Sequence, residues 1–159
     1  MKPGLYTQVA AVNIGLVALL LLASFAILIA INFSVLKLPH VIAETIWHLA
    51  KFINDDAAPA LTMSFVSHLL VFCAGLIGMG CLRGERRTKY ICLIAFCVVY
   101  LSVSAFELAG LPLTICERDG ISCHLYDRTL YILASYILGT PLSLLAGANV
   151  GRIMFPQLA

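Results

Sequence analysis

The fold is decided by the short basic stretch Arg83-Gly84-Glu85-Arg86-Arg87-Thr88-Lys89, which holds four of the ten Lys and Arg residues of this 159-residue chain. Long apolar segments precede and follow it. In multi-pass membrane proteins, short loops rich in Lys and Arg stay on the cytoplasmic side. The stretch therefore predicts a cytoplasmic turn between two membrane-spanning helices, at residues 61–82 and 90–115, and it sets the orientation of the rest of the chain. The second of these helices is expected to bend or end near Gly110 and Pro112.

The composition requires a lipid environment. Hydrophobic residues make up 62% of the chain and charged residues only 11%, with a mean hydropathy of +1.01, whereas soluble domains carry about 25% charged residues. A water-soluble domain of this length could not cover so much apolar surface. The formal net charge of +2 comes without a basic, aromatic-lined stripe or a glycine-rich phosphate loop, so the lipid bilayer and not nucleic acid is the expected partner.

Two further apolar segments, 9–36 and 129–150, complete a prediction of four spans. The first has 28 residues without a charge. At 1.5 Å per residue it would be about 42 Å long, against about 30 Å of hydrocarbon, so we expect a tilted or projecting helix and no cleaved signal peptide. The fourth span contains Gly139-Thr140-Pro141, which predicts a kink, and ends in Gly147-Ala148-Asn149-Val150-Gly151, a G-x-x-x-G pattern typical of close helix packing.

The charged residues outside the spans favour one orientation. With both termini and the basic turn in the cytoplasm, six cations and one acid lie inside, and four cations and six acids lie outside, as the positive-inside rule requires. We therefore predict one all-α membrane domain over residues 1–159, with four transmembrane helices in an antiparallel bundle and cytoplasmic N- and C-termini. The second and third spans should form the tightest pair, and the short loops suggest a bacterial inner membrane.

Residues 40–54, between the first two spans, have an amphipathic pattern. Polar residues recur at helical spacing on one face and isoleucine and leucine on another. The segment is too short and too charged to cross a membrane, and its Trp47 suits the aromatic belt at the membrane surface. We predict a helix in the membrane interface. The helix either only covers the membrane surface or docks a partner. The docking face would consist of Glu44, Trp47, His48 and Lys51.

Two ionisable residues fall inside the predicted spans, each about 10–12 Å from the outer surface by the helical rise. They are His68 in the second span and Glu107 in the third. A carboxylate at that depth costs about 2.5–3.5 kcal/mol unless it is protonated, paired or hydrated. We therefore expect His68 and Glu107 to face each other across the hairpin, either as a proton or cation relay or as a structural clamp.

Two of the six cysteines, Cys116 and Cys123, flank the turn signal Asp119-Gly120 in the predicted outer loop. In an oxidising compartment they are expected to form a disulfide that closes this loop. The alternative is a redox-active pair, although the chain has no C-x-x-C motif. The other cysteines are expected to be small apolar residues of the helices: Cys73, Cys81, Cys92 and Cys97.

The sequence contains no recognised chelating or nucleophilic motif, so we predict no metal and no cofactor, and a non-catalytic role is favoured over an enzyme. The first hypothesis is an accessory or structural subunit of a larger membrane complex, whose partners are other membrane subunits or further copies of the chain. One alternative is a small transporter or proton-coupled carrier that uses His68 and Glu107. The other is a membrane thiol-disulfide oxidoreductase that uses Cys116 and Cys123.

Overall fold

A computed structural model describes residues 3–32, 39–53, 55, 58–108, 114–116, 123–125 and 132–156 of the chain. The elements follow one another as α1 (Pro3–Asn32), α2 (His40–Ile53), α3 (Ala58–Cys81), α4 (Arg86–Leu108), β1 (Thr114–Cys116), β2 (Cys123–Leu125) and α5 (Thr140–Met154). A π-helical turn, Ser135–Gly139, leads directly into α5. The described residues are thus mainly helical, with one short pair of strands.

Four helical segments of the described chain are long and apolar enough to cross a membrane, which confirms the predicted number of spans. They are Tyr6–Ile31, Leu61–Cys81, Arg86–Ala105 and Ile132–Met154. Residues 33–36 of the predicted first span lie outside the described residues. A helix at the place predicted for the amphipathic segment is also confirmed, as α2, whereas its position in the membrane interface stays a prediction.

The third span is shorter than predicted. α4 ends at Leu108, and Thr114–Cys116 forms strand β1, which pairs antiparallel with β2. The apolar pattern continues past Leu108, but Gly110 and Pro112 both disfavour a helix, and proline cannot donate the amide hydrogen bond that a continuing helix needs. The end of α4 at Leu108 agrees with the expected bend or end near Gly110 and Pro112. The outer limit at residue 115 is wrong, because Thr114 and Ile115 belong to a two-stranded sheet.

α3 packs most closely against the fourth span, not against α4 as predicted. The cause is glycine. A Cβ at Gly147 would run into the carbonyl oxygen of Phe72, and one at Gly151 would lie 2.6 Å from the carbonyl oxygen of Leu76. Gly75 on α3 likewise faces the backbone of α5. The G-x-x-x-G pattern of α5 thus brings two helix backbones together, as small residues do in membrane proteins.

The contacts between these two helices run in the same direction along both chains. They begin with a hydrogen bond of 2.7 Å between the Ser64 and Ser135 hydroxyls and end where Gly151 approaches Leu76. The second and fourth spans therefore run parallel. If the chain crosses the membrane at every span, the third span returns it to the opposite side. The second and fourth spans must then run in the same direction.

Among the contacts that fix α1 to the other helices, two are specific in geometry. The buried side chain of Asn13 donates a hydrogen bond of 2.8 Å to the carbonyl oxygen of Arg83 and accepts one of 2.9 Å from the Arg83 amide. Three turns further along α1, the Phe25 ring stacks on Tyr100 of α4 with 4.9 Å between ring centroids. The Tyr100 hydroxyl lies 2.6 Å from the Ser67 hydroxyl of α3, so Tyr100 links three helices.

The basic turn between α3 and α4 requires a glycine, and its four cationic residues differ in burial. Gly84 has a φ of 102°, a left-handed conformation that glycine adopts without steric cost. Lys89 is only 2% exposed, and its ammonium donates a hydrogen bond of 3.2 Å to the carbonyl oxygen of Met79, near the C-terminal end of α3, where cations are favoured. The three arginines of the turn remain exposed.

Candidate functional site around His68

His68 of α3 lies against the π-helical turn of the fourth span. Its ring atoms are 2.5–3.0 Å from the place where a Cβ on Gly139 would stand, so the imidazole fits only because residue 139 is glycine. The ring hydrogen-bonds to the backbone of Ser135. Phe65 and Tyr136 contact it edge-on, with 6.2 and 5.9 Å between ring centroids. The imidazole is thus held by glycine, backbone and two aromatic rings.

The π turn has a local cause in the sequence. Pro141 stands in the first turn of α5 and has no amide hydrogen, so it cannot continue the regular pattern of helical hydrogen bonds. Just before it, the amide of Thr140 donates to the carbonyl oxygen of Tyr136. The sequence predicts a kink here, and the structure has a π turn at the same place. Such turns occur frequently at functional sites.

Two buried polar atoms at this interface have no hydrogen-bond partner among the described residues. They are Nε2 of His68 and Oγ1 of Thr140. Buried polar atoms are nearly always hydrogen-bonded, and an unpaired one costs about 1–3 kcal/mol. Within this part of the structure, Nε2 therefore remains available for a proton or for a hydrogen-bond donor that reaches it after a small shift of the ring.

An open groove of about 390 Å³ adjoins His68 between α2, α3 and the fourth span. Its other walls are almost entirely apolar and include Ile53, Phe65, Leu138 and Leu142. A groove of this chemistry, on helices that are apolar enough to cross a membrane, suits a hydrocarbon chain. His68 therefore stands at the border between a helix interface and a surface suited to lipid.

Glu107, the predicted partner of His68, belongs to the last turn of α4. Its side chain lies outside the described part of the structure, so the pairing of the two residues stays a prediction. The contacts of His68 that the structure describes come from α3 and the fourth span. Sequence reasoning missed the role of Gly139, although a Gly-Thr-Pro sequence inside a span signals a break in regular helix geometry.

The predicted polar face of α2 is exposed. This holds for each of its four residues: Glu44, Trp47, His48 and Lys51. The Lys51 ammonium lies 3.3 Å from the Asp55 carboxylate and 5.7 Å from the centre of the Trp47 ring. Exposed ion pairs of this kind contribute only about 0–1 kcal/mol. The opposite face of α2 packs on α3 through Ala50, and docking of a partner on the polar face stays a prediction.

Cys116 and Cys123 stand directly opposite each other in the two-stranded sheet. Opposed residues of antiparallel strands have Cα atoms about 4.5–5.5 Å apart, inside the range of about 4.4–6.8 Å that a disulfide requires. Their side chains lie outside the described residues. The four cysteines with described side chains are free thiols. The backbone register therefore suits the predicted disulfide without showing it.

We expect Cys116 and Cys123 to be joined by a disulfide in protein extracted without reductant. Alkylation of the unreduced protein, followed by peptide mass mapping, should leave both residues unmodified and find their peptides linked. Cys81 is exposed at the last residue of α3, beside the basic turn, and serves as the control, because it should react with or without reductant. Free alkylation of both Cys116 and Cys123 would contradict the prediction, and a pair found in both redox states would favour the oxidoreductase hypothesis.

The structure offers no metal site in the part of the chain that it describes, where no three His, Cys, Asp or Glu side chains lie close enough to hold an ion. The most unusual polar group in that part is the His68 imidazole, which lies against Gly139 of the π turn and beside an apolar groove.

Comparison of the chain with protein-family models, with curated proteins and with solved structures gives no match.

Proposed function

We propose that this protein is a non-catalytic accessory subunit of a larger membrane complex in a bacterial inner membrane. Its four spans form an antiparallel bundle, and its termini and basic turn face the cytoplasm. The excess of Lys and Arg on that side supports this orientation. The partners are other membrane subunits, which contact the protein through surfaces that its own helices leave uncovered.

The observation that carries this proposal is how little of α1 the rest of the protein covers. Only 6% of the residues in its most apolar stretch are buried, against 44% in α3. One face of α1, with Leu16 and Leu20, is partly buried against the core, and α1 is held in a defined orientation because Asn13 is hydrogen-bonded to Arg83 and Phe25 is stacked on Tyr100. A helix that is fixed along one face and exposed along the other presents a constant surface to a neighbouring membrane helix.

The uncovered side of α1 has the residue types that membrane helix interfaces prefer. Four of its small residues lie on one exposed face, which we call the small-residue face: Ala11, Gly15, Ala18 and Ala26. Gly15 lies about 160° around the helix from the buried Asn13. A Cβ at Gly15 would have no neighbour within 4 Å among the described residues. Small residues let helices approach closely in lipid, so we place the partner's helix on this face.

Native mass spectrometry of gently extracted protein tests this role. The unmodified protein should appear in a heteromeric complex of fixed stoichiometry. Gly15→Leu should lower the complexed fraction about tenfold, equivalent to about 1.4 kcal/mol, because leucine separates the two helices. Ala23→Leu, which also introduces a leucine at an exposed residue of α1 but outside the small-residue face, should leave the complex intact. A bare monomer or a homo-oligomer in the unmodified sample would overturn the proposal.

A second candidate function is a small proton-coupled carrier that uses His68 and Glu107. It is favoured by one observation, the buried Nε2 atom of His68 without a partner among the described residues. Ionisable groups inside a membrane are functional candidates because they are costly to keep there. In proteoliposomes under an imposed pH gradient, His68→Gln and Glu107→Gln should each abolish proton flux. No flux above that of empty vesicles in the unmodified protein would remove this candidate.

A further inference from the structure

A second groove, of about 380 Å³, lies between α1 and the basic turn, and its lining is Gln8, Val9, Ala11, Val12 and Arg83. The lining combines two kinds of chemistry. Gln8 and Arg83 supply an amide and a guanidinium, and the three small apolar residues of α1 supply the remaining walls. This combination suits a molecule with an anionic head and an apolar chain.

The cations near this groove outnumber the acids, since Glu85 is the single acid of the turn. Arg83, Arg86 and Arg87 are exposed, and none of them forms an ion pair with another described residue. Lys89 is buried and donates to a backbone carbonyl. The three guanidinium groups thus leave a local excess of positive charge at the end of a span.

Arg83 is placed at the groove by its backbone. The Asn13 side chain bonds to both the amide and the carbonyl of Arg83, and Asn13 is only 1% exposed. Arg83 follows the end of α3 at Cys81 by two residues, so it lies where the apolar span gives way to the turn. A guanidinium held there can form paired hydrogen bonds with two oxygens of one phosphate.

We propose that this groove binds one anionic phospholipid, with the phosphate on the Arg83 guanidinium and one acyl chain along Val9 and Val12. Basic pockets between transmembrane helices bind anionic headgroups in this way. The membrane surface supplies this ligand at high local concentration, which a soluble anion would lack. The site borders the small-residue face at Ala11, but its charge recognition rests on Arg83 of the basic turn and needs no protein partner.

Native mass spectrometry of delipidated protein, returned to nanodiscs with equal amounts of phosphatidylglycerol and phosphatidylcholine, tests the site. The unmodified protein should retain one phosphatidylglycerol. Arg83→Gln should lower this retention about fivefold, from the roughly 1 kcal/mol that one cation contributes near a membrane surface. Arg86→Gln removes the same charge from a residue outside the groove and should change retention less than about twofold. Val12→Trp, which fills the groove without a charge change, should also lower retention.

Three outcomes would overturn the proposal. Equal retention of both lipids would mean that the groove does not recognise negative charge. Equal losses in Arg83→Gln and Arg86→Gln would indicate diffuse attraction by the turn as a whole. Displacement of phosphatidylglycerol by inorganic phosphate at a similar concentration would identify a site for free anions. Thermal unfolding of each variant, compared with the unmodified protein, ensures that a loss of lipid does not reflect a loss of fold.

Discussion

Gly147→Leu should leave little correctly folded protein, because it separates the two helices that make the most extensive contact in the structure. Even a Cβ at this residue would run into the carbonyl oxygen of Phe72, and it would also lie 3.1 Å from the amide nitrogen of Leu76. Both obstacles are backbone atoms of α3, so no side chain can move aside. We expect a loss of about 3 kcal/mol or more, at the upper end for overpacking, from a total stability of roughly 5–15 kcal/mol.

The measurement is the fraction of monodisperse protein that remains in mild detergent after a heating series, followed by size-exclusion chromatography. Ala23→Leu is the control, because it also introduces a leucine into a span, but at an exposed residue of α1 outside the small-residue face. It should unfold at the same temperature as the unmodified protein. Equal behaviour of the two variants would mean that the close packing at Gly147 does not stabilise the fold.

The number of spans could be predicted from the sequence, because segment length against hydrocarbon thickness nearly fixes it. Which spans pack together could not be predicted in the same way. Each span is apolar on most sides, so the natural expectation is that neighbours along the chain pair first. The structure instead pairs α3 with α5. The glycines that decide this, Gly75, Gly147 and Gly151, are visible in the sequence, but a G-x-x-x-G pattern is too common to identify its partner helix.

The candidate site was also predicted only in part. His68 could be selected because an ionisable residue inside a span is costly and therefore unusual. The surroundings of His68 could not be predicted, because they depend on the contact of α3 with the π turn that ends at Gly139. The end of α4 is a similar case. Hydropathy extends the third span to residue 115, whereas the local effect of Gly110 and Pro112 predicts the earlier bend or end, close to where α4 stops at Leu108.

Tyr100→Ala should be the most damaging truncation in the core, because one side chain links three helices. Tyr100 is fully buried, and its ring stacks on Phe25 of α1 at 4.9 Å and on Phe96 of α4 at 5.8 Å between centroids. Its hydroxyl lies 2.6 Å from that of Ser67 on α3. Removal of a buried aromatic ring costs about 3–5 kcal/mol. Part of that loss falls on α1, which keeps Asn13 as its other described polar attachment.

Tyr100→Phe separates the two contributions of this residue. It keeps both ring contacts and removes only the hydroxyl, so we expect a loss of about 0.6 kcal/mol, the average for a hydrogen bond between membrane helices. The readout is the alkylation rate of Cys97, a core thiol that is 8% exposed, resolved from the other cysteines by peptide mass mapping. In Tyr100→Ala, Cys97 should be alkylated at least ten times faster than in Tyr100→Phe. Similar rates in both variants would mean that the hydroxyl and not the ring holds the helices together, since only the hydroxyl is absent from both.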